Sequence, residues 1–180
     1  MPPTPPTPPT PPTVPPPAFQ AASRHHYDTA QLAAGSQLRI SADHLAGLAA
    51  ECAIKAILLD YLGSALKKGR PFHQELKEDA RKRMEREGLK DLPQQDFMHG
   101  HLPSLWGQLS TIAGRRRGRE AGPLFTQLIA SNPFHGWFVE GRYCDGTTIT
   151  EADLARHLQA AYDLIAAHEQ ARTLGTGTLA

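Results

Sequence analysis

Between Ser41 and Leu62 the chain is apolar at almost every position except His44, Gly47, Glu51 and Lys55. Spacings of three, four and four residues place these positions one above another on a single helical face, so their ionisable groups share one local environment. Charge on a helix this apolar is costly unless it is paired. Glu51 and Lys55, one helical turn apart, are therefore expected to meet each other or a further partner such as Arg142. The first reading of this stripe is structural, an ion pair that orients the helix; the second is a functional site.

Other residue sets permit chemistry. Arg39-Ile-Ser-Ala-Asp-His44 joins an Arg to a His, and imidazole moves protons near neutral pH while guanidinium stabilises a developing phosphate charge. His99 and His101 offer two ligands to a metal, but only Asp96 stands near enough in sequence to extend the set, so no metal is expected. Arg115, Arg116, Arg117 and Arg119 form a concentrated basic patch suited to phosphate contacts, and an exposed loop explains the same run. His25 and His26 face different directions, one toward the polar stripe and one toward solvent. The chain has no Gly-rich phosphate loop after a strand, no nucleophile-elbow motif and no paired-Asp metal motif, which argues against self-contained nucleotide transfer. No cofactor is expected.

The elements that position these groups read as helices. Tyr27, Ala30, Ala34 and Leu38 recur at helical spacing, predicting a first helix over 19–38. Ser41 is the expected N-cap of the second, with Asp43 in its first turn, and Gly63-Ser64 its exit. Residues 65–100 are dense in charge and read as an insertion, within which 74–87 forms a solvated surface helix. A third helix begins near Pro103 or Ser104, with Leu105, Trp106, Leu109 and Ile112 as its core face, and stops at Gly114. Leu124–Ala130 is a short helix ended by Asn132-Pro133. Thr150-Glu-Ala-Asp153 forms a loosened capping box for a C-terminal helix through Leu154, Leu158, Ala161, Tyr162 and Ile165. With no alternating β pattern, the expectation is an all-α antiparallel bundle of four to five helices spanning 19–172. Pro-Pro-Thr repeats make 1–18 a disordered tail, and 173–180 is expected to fray.

Composition narrows the function. With 40% apolar residues in 180 and a formal charge of +1, neither a globally disordered chain nor a strongly basic nucleic-acid binder is implied. Two cysteines, one inside the apolar helix, fit a reducing compartment, and no run reaches membrane-spanning length. A cytoplasmic protein without membrane contact is the expectation.

The order of His26-Tyr-Asp-Thr-Ala30, Ala42-Asp-His-Leu-Ala-Gly-Leu-Ala-Ala-Glu-Cys-Ala-Ile-Lys55, His101-Leu, Trp137 and Arg142-Tyr143 resembles the HEPN family over about 19–170. These are small helical-bundle proteins of bacteria and archaea, found beside nucleotidyltransferases and in toxin–antitoxin or defence systems. Catalytic members cleave RNA without a metal through an R-x(4–6)-H pair, often continued as H-x-Y, at a dimer interface. If Tyr143 is set against that Tyr, the His position is Gly141 and the Arg position Gly136, and neither can do the chemistry. The resemblance therefore implies a noncatalytic or weakly catalytic binding component of an RNA-linked module. A homodimer is implied, with RNA, a nucleotidyltransferase or an antitoxin as partner. In this reading Glu51, Lys55 and Arg142 form an internal network with His44, and Trp137 and Tyr143 pack around it. The competing reading is an endoribonuclease with a displaced pair drawn from Arg39, His44, His101 and Arg142. A third is a structural adaptor that binds through its Pro-rich tail.

Overall fold

A computed structural model describes residues 15–88, 90–116, 120–175 and 178–179. The Pro-rich repeats before residue 15, with Arg117 and Arg119, lie outside the described residues. Among the described residues, six α-helices and one small hairpin follow in order: α1 (Phe19–Gly35), α2 (Arg39–Asp60), β1 (Ala65–Lys67), β2 (Arg70–Phe72), α3 (Gln74–Glu87), α4 (Ser104–Arg115), α5 (Pro123–Leu128) and α6 (Glu151–Leu174). The chain is mainly helical, as the periodicity predicts.

Helix α2 is the axis of the fold, packed against α1, α4 and α6. Its buried residues run round the helix: Ala42, Ala46, Ala49, Ala50, Ala53 and Ala56 with Ile54, Ile57 and Leu58. The alanines let neighbouring helices approach closely, while the larger side chains meet Leu105, Leu109, Ile112, Phe125, Phe134 and Leu164 in one continuous core. A helix buried on so many sides draws its stability from packing rather than from helix propensity.

The first two helices divide earlier than the spacing suggests. α1 ends at Gly35, and Gln37 takes a positive φ of 59° in the tight turn that follows. α2 begins at Arg39 with Leu38 at its cap position and no side-chain cap, so Ser41 lies inside the helix instead of capping it. Arg39 donates to the Ile149 carbonyl and pairs with Glu151, contacts that hold this first turn in place of a cap. Asp43 is not a solvated first-turn acid; it is buried and turns to α6.

Residues 65–100 contain a hairpin that the sequence pattern hides, because its strands are only three residues long. The connecting Lys68 and Gly69 both adopt positive φ, at 51° and 75°, the left-handed geometry that two-residue hairpin turns demand. α3 is less solvated than its composition suggests. Leu76 and Ala80 are buried, and Arg115 and Arg116 at the end of α4 reach across to Glu75 and Asp79. α5 begins one residue before the apolar run and ends two residues before its last member, at Leu128.

The C-terminal helix starts as predicted. Asp153 N–H donates to Thr150 Oγ1 at 3.0 Å and the Thr150 N–H donates back to the Asp153 carboxylate at 3.3 Å. Hydrogen bonds from the Thr150 side chain and from Arg156 hold the Asp153 carboxyl down at about 2. Past Gly175 the end does not simply fray. Leu179 is fully buried, its N–H donates to the Glu120 carbonyl at 2.8 Å, and its own carbonyl accepts from Gly122 at 2.6 Å. Removing the Leu179 side chain leaves a cavity beside Ala121. Leu179→Ala should cost about 2–5 kcal/mol, read as a lower urea midpoint with an unchanged m-value, whereas a frayed end would show no loss.

Candidate functional site

The polar stripe of α2 closes on itself. Lys55 Nζ donates to Glu51 Oε1 at 2.8 Å, and His101 Nδ1 lies 3.0 Å from both Glu51 oxygens. Glu51 and Lys55 are both buried, while His101 remains largely exposed. The carboxylate thus holds the Nδ1 proton of His101 and directs Nε2 outward, the arrangement that fixes an imidazole tautomer. The Phe19 ring of α1 lies 5.7 Å from the Lys55 ammonium, an apolar cover over the pair.

At the other end of the stripe, Gly47 is required by its neighbour. A Cβ at that position would fall inside the indole of Trp137. Trp137 is buried against α2, donates from Nε1 to the Asp43 carbonyl at 3.4 Å, and lies nearly parallel to His44 with ring centroids 6.1 Å apart. His44 Nδ1 is buried with no hydrogen-bond partner. Burial, and then the positive charge of Arg142, push the His44 imidazole below its ordinary range.

Arg142 itself does not join Glu51. It lies in a short 3₁₀ turn, Val139–Tyr143, at the surface, where its guanidinium sits over the Tyr143 ring at 4.7 Å and donates to the Tyr143 hydroxyl at 2.7 Å. Tyr143 is 76% exposed, so it does not pack round the network. That part of the expectation is corrected: His101 is the third member and Trp137 the packing aromatic. Outside the network, Arg142 and Tyr143 pair with each other.

The Arg39/His44 pair is also separated. Five residues along a helix amount to a rotation of roughly 140°, and Arg39 is tied to Glu151 on the far side. There it borders a groove of about 660 Å³ between the α1–α2 turn and the start of α6, which Leu38, Ile40 and Leu158 also line and which includes neither His44 nor Glu51. The basic patch is largely neutralised where it is described. Arg115 pairs with Glu75 and Asp79, and Arg116 with Glu75 and Glu120.

His99 and His101 do not converge on a common point. His99 Nδ1 meets Gln108 Oε1 and Nε2 meets the Ser64 hydroxyl, each at 2.7 Å. Burial pushes this imidazole down to about 4. Among the described residues no His, Cys, Asp and Glu group is arranged to hold a metal ion. His26 is half-buried and close enough for its charge to act on His44, while His25 is exposed, matching their expected division. Burial also pushes the Cys52 thiol up to about 11, leaving little thiolate for reaction.

Two acid–histidine ties lie outside the sequence pattern: His157 with Asp43 at 2.6 Å, and His168 with Asp60 at 2.7 Å. Their partners lie more than a hundred residues away in sequence, so no local pattern joins them. The legible signal is that His157, Ala161, Leu164 and His168 share the buried face of α6 at helical spacing.

Two outcomes test this geometry. Lys55→Ala leaves the buried Glu51 carboxylate short of its cation and should cost about 3–5 kcal/mol in urea unfolding; an unchanged midpoint would show that the pair is solvated. His99 is neutral when folded and basic when unfolded, so the unfolded chain binds the extra proton. Stability should therefore fall as pH drops from about 6.5 toward 4, by roughly 2–4 kcal/mol, and His99→Gln should flatten the slope.

No family model matches this chain, and no match appears among the curated proteins or the solved structures.

Proposed function

We propose that the chain is a HEPN-like helical bundle that binds rather than cuts, a noncatalytic or weakly catalytic component of an RNA-linked defence or toxin–antitoxin module in the cytoplasm. It would act as a homodimer, with RNA, a nucleotidyltransferase or an antitoxin as its partner. The sequence resemblance supplies the family. The observation that carries the binding reading is that most groups suited to acid–base work are already committed. Glu51 serves Lys55 and His101, Arg39 serves Glu151, and Asp43 serves His157.

The surface best suited to RNA is then the exposed Arg142–Tyr143 pair, with Phe138 also 54% exposed nearby in sequence. Aromatic faces and guanidinium planes stack on unpaired bases, and the cation adds a phosphate contact. Double-stranded RNA would offer this site little, because its bases are already stacked. Tyr143→Ala should weaken single-stranded RNA binding by about 1–3 kcal/mol in a titration while circular dichroism stays unchanged. Equal affinity of wild type and variant would remove this surface from the account.

One observation favours the endoribonuclease reading as a second possibility. His44 keeps an unpartnered Nδ1 under the charge of Arg142, and His101 presents Nε2 outward with Glu51 behind it. RNA incubated with purified protein in excess chelator separates the two. Binding without cleavage is expected. Cleavage that disappears in a folded His44→Ala or His101→Ala variant would instead make this an enzyme and identify its proton-transfer group.

A further inference from the structure

His157 stands where α2, α6 and the segment from Asn132 to Trp137 meet, and its side chain is buried. Nδ1 lies 2.6 Å from Asp43 Oδ1, and Nε2 lies 3.1 Å from the Pro133 carbonyl oxygen. A carbonyl only accepts, and an ionised carboxylate only accepts. Neutral imidazole carries one N–H and serves one of these oxygens; the doubly protonated ring serves both. His99 shows the contrast, because its second partner is a hydroxyl, which can donate to the bare nitrogen of a neutral ring.

The surroundings suit a cation. The Phe134 ring stacks on His157 with centroids 4.7 Å apart and planes inclined by 18°, presenting a π face to the imidazole. From α2, Asp43 faces the ring, with His44 next along the helix. From α6, Arg156 shares the Pro133 carbonyl through Nε at 3.3 Å, and its own charge is paired with Asp153. On the strap itself His135 is exposed, and the Pro133 carbonyl and Phe134 are the groups that meet His157.

We propose that His157 is a proton-dependent latch, holding the Asn132–Trp137 strap against α2 in its charged form and loosening it when the proton is lost. Deprotonation leaves one N–H for two acceptors, so either the tie to Asp43 or the tie to Pro133 is given up. Protonation of Asp43 at acid pH weakens the pair from the other side. The strap is therefore tightest at intermediate pH. Its far end carries Trp137, the residue seated over Gly47 and beside His44. Opening the latch uncovers the upper part of the polar stripe and frees His44 for solvent or a ligand.

The test combines side-chain nitrogen NMR with amide hydrogen exchange on the full chain. At about pH 6 both His157 nitrogens should carry protons, and between about pH 6 and 9 the opening of the His135 and Trp137 amides should rise about tenfold, corrected for intrinsic exchange. Amides in the middle of α2 should not follow. In His157→Gln, which keeps a donor and cannot titrate, strap opening should be independent of pH. A His157 ring with one bare nitrogen at about pH 6 would show a neutral imidazole between the two acceptors, and would overturn the proposal. Strap opening that stays constant across the range in the wild type would overturn it as well. Both of these readings come from the wild-type protein, so the proposal remains testable even if the variant fails to fold.

Discussion

The structure depends on α2 being surrounded. A helix packed by neighbours on most sides cannot leave its charged residues to water, so Asp43, Glu51 and Lys55 must each be matched from within or from a neighbouring element. Those matches fix where other parts of the chain go. Asp43 draws His157 and with it the start of α6. Glu51 draws His101 and with it the approach to α4. Arg39, at the free end of the same helix, fastens the loop that precedes α6. The apolar contacts supply most of the favourable free energy of the bundle, and they would tolerate small slips between helices. The few charge-assisted bonds tolerate such slips far less, because they demand particular atoms at particular distances.

Much of this was legible in the sequence. The apolar character of α2 and the stacking of Glu51 over Lys55 follow from spacing alone, and the capping box at Thr150 names the start of α6 to the residue. α4 likewise announces itself through Pro103, Ser104 and the Leu105–Ile112 face. What was hidden depends on contacts distant in sequence or on backbone conformation. Nothing local distinguishes Ser41 as an interior residue from Ser41 as a cap; the choice is made by Arg39 reaching Glu151. The hairpin at 65–72 rests on left-handed backbone at Lys68 and Gly69. Arg142 was a reasonable partner for Glu51 by charge, but the 3₁₀ turn sets it outside and leaves the place to His101.

Histidine recurs at five of the places where separate segments are tied. His73 bonds the Leu62 carbonyl, His99 bridges Ser64 and Gln108, His101 meets Glu51, His157 meets Asp43, and His168 meets Asp60. Imidazole suits this use, being compact, partly apolar and able to donate at one nitrogen while accepting at the other. The same choice makes the interior responsive to protons. Burial pushes the His73 and His99 imidazoles below their ordinary range, so acidification acts on the joints these two residues make.

The alanine row of α2 carries a consequence for sequence change. Where helices approach this closely, a side chain grows only by pushing a whole neighbouring element outward, and Gly47 beneath Trp137 is the extreme case. Substitutions along this face are confined to residues of nearly the same volume. Variation among functional descendants of this chain would accumulate instead on the exposed strand β1, on the outer face of α3 and at Arg142 and Tyr143, where a new side chain displaces mainly water. The rigid axis and the changeable rim therefore divide the labour of inheritance: one keeps the shape, and the other is free to acquire a new binding preference.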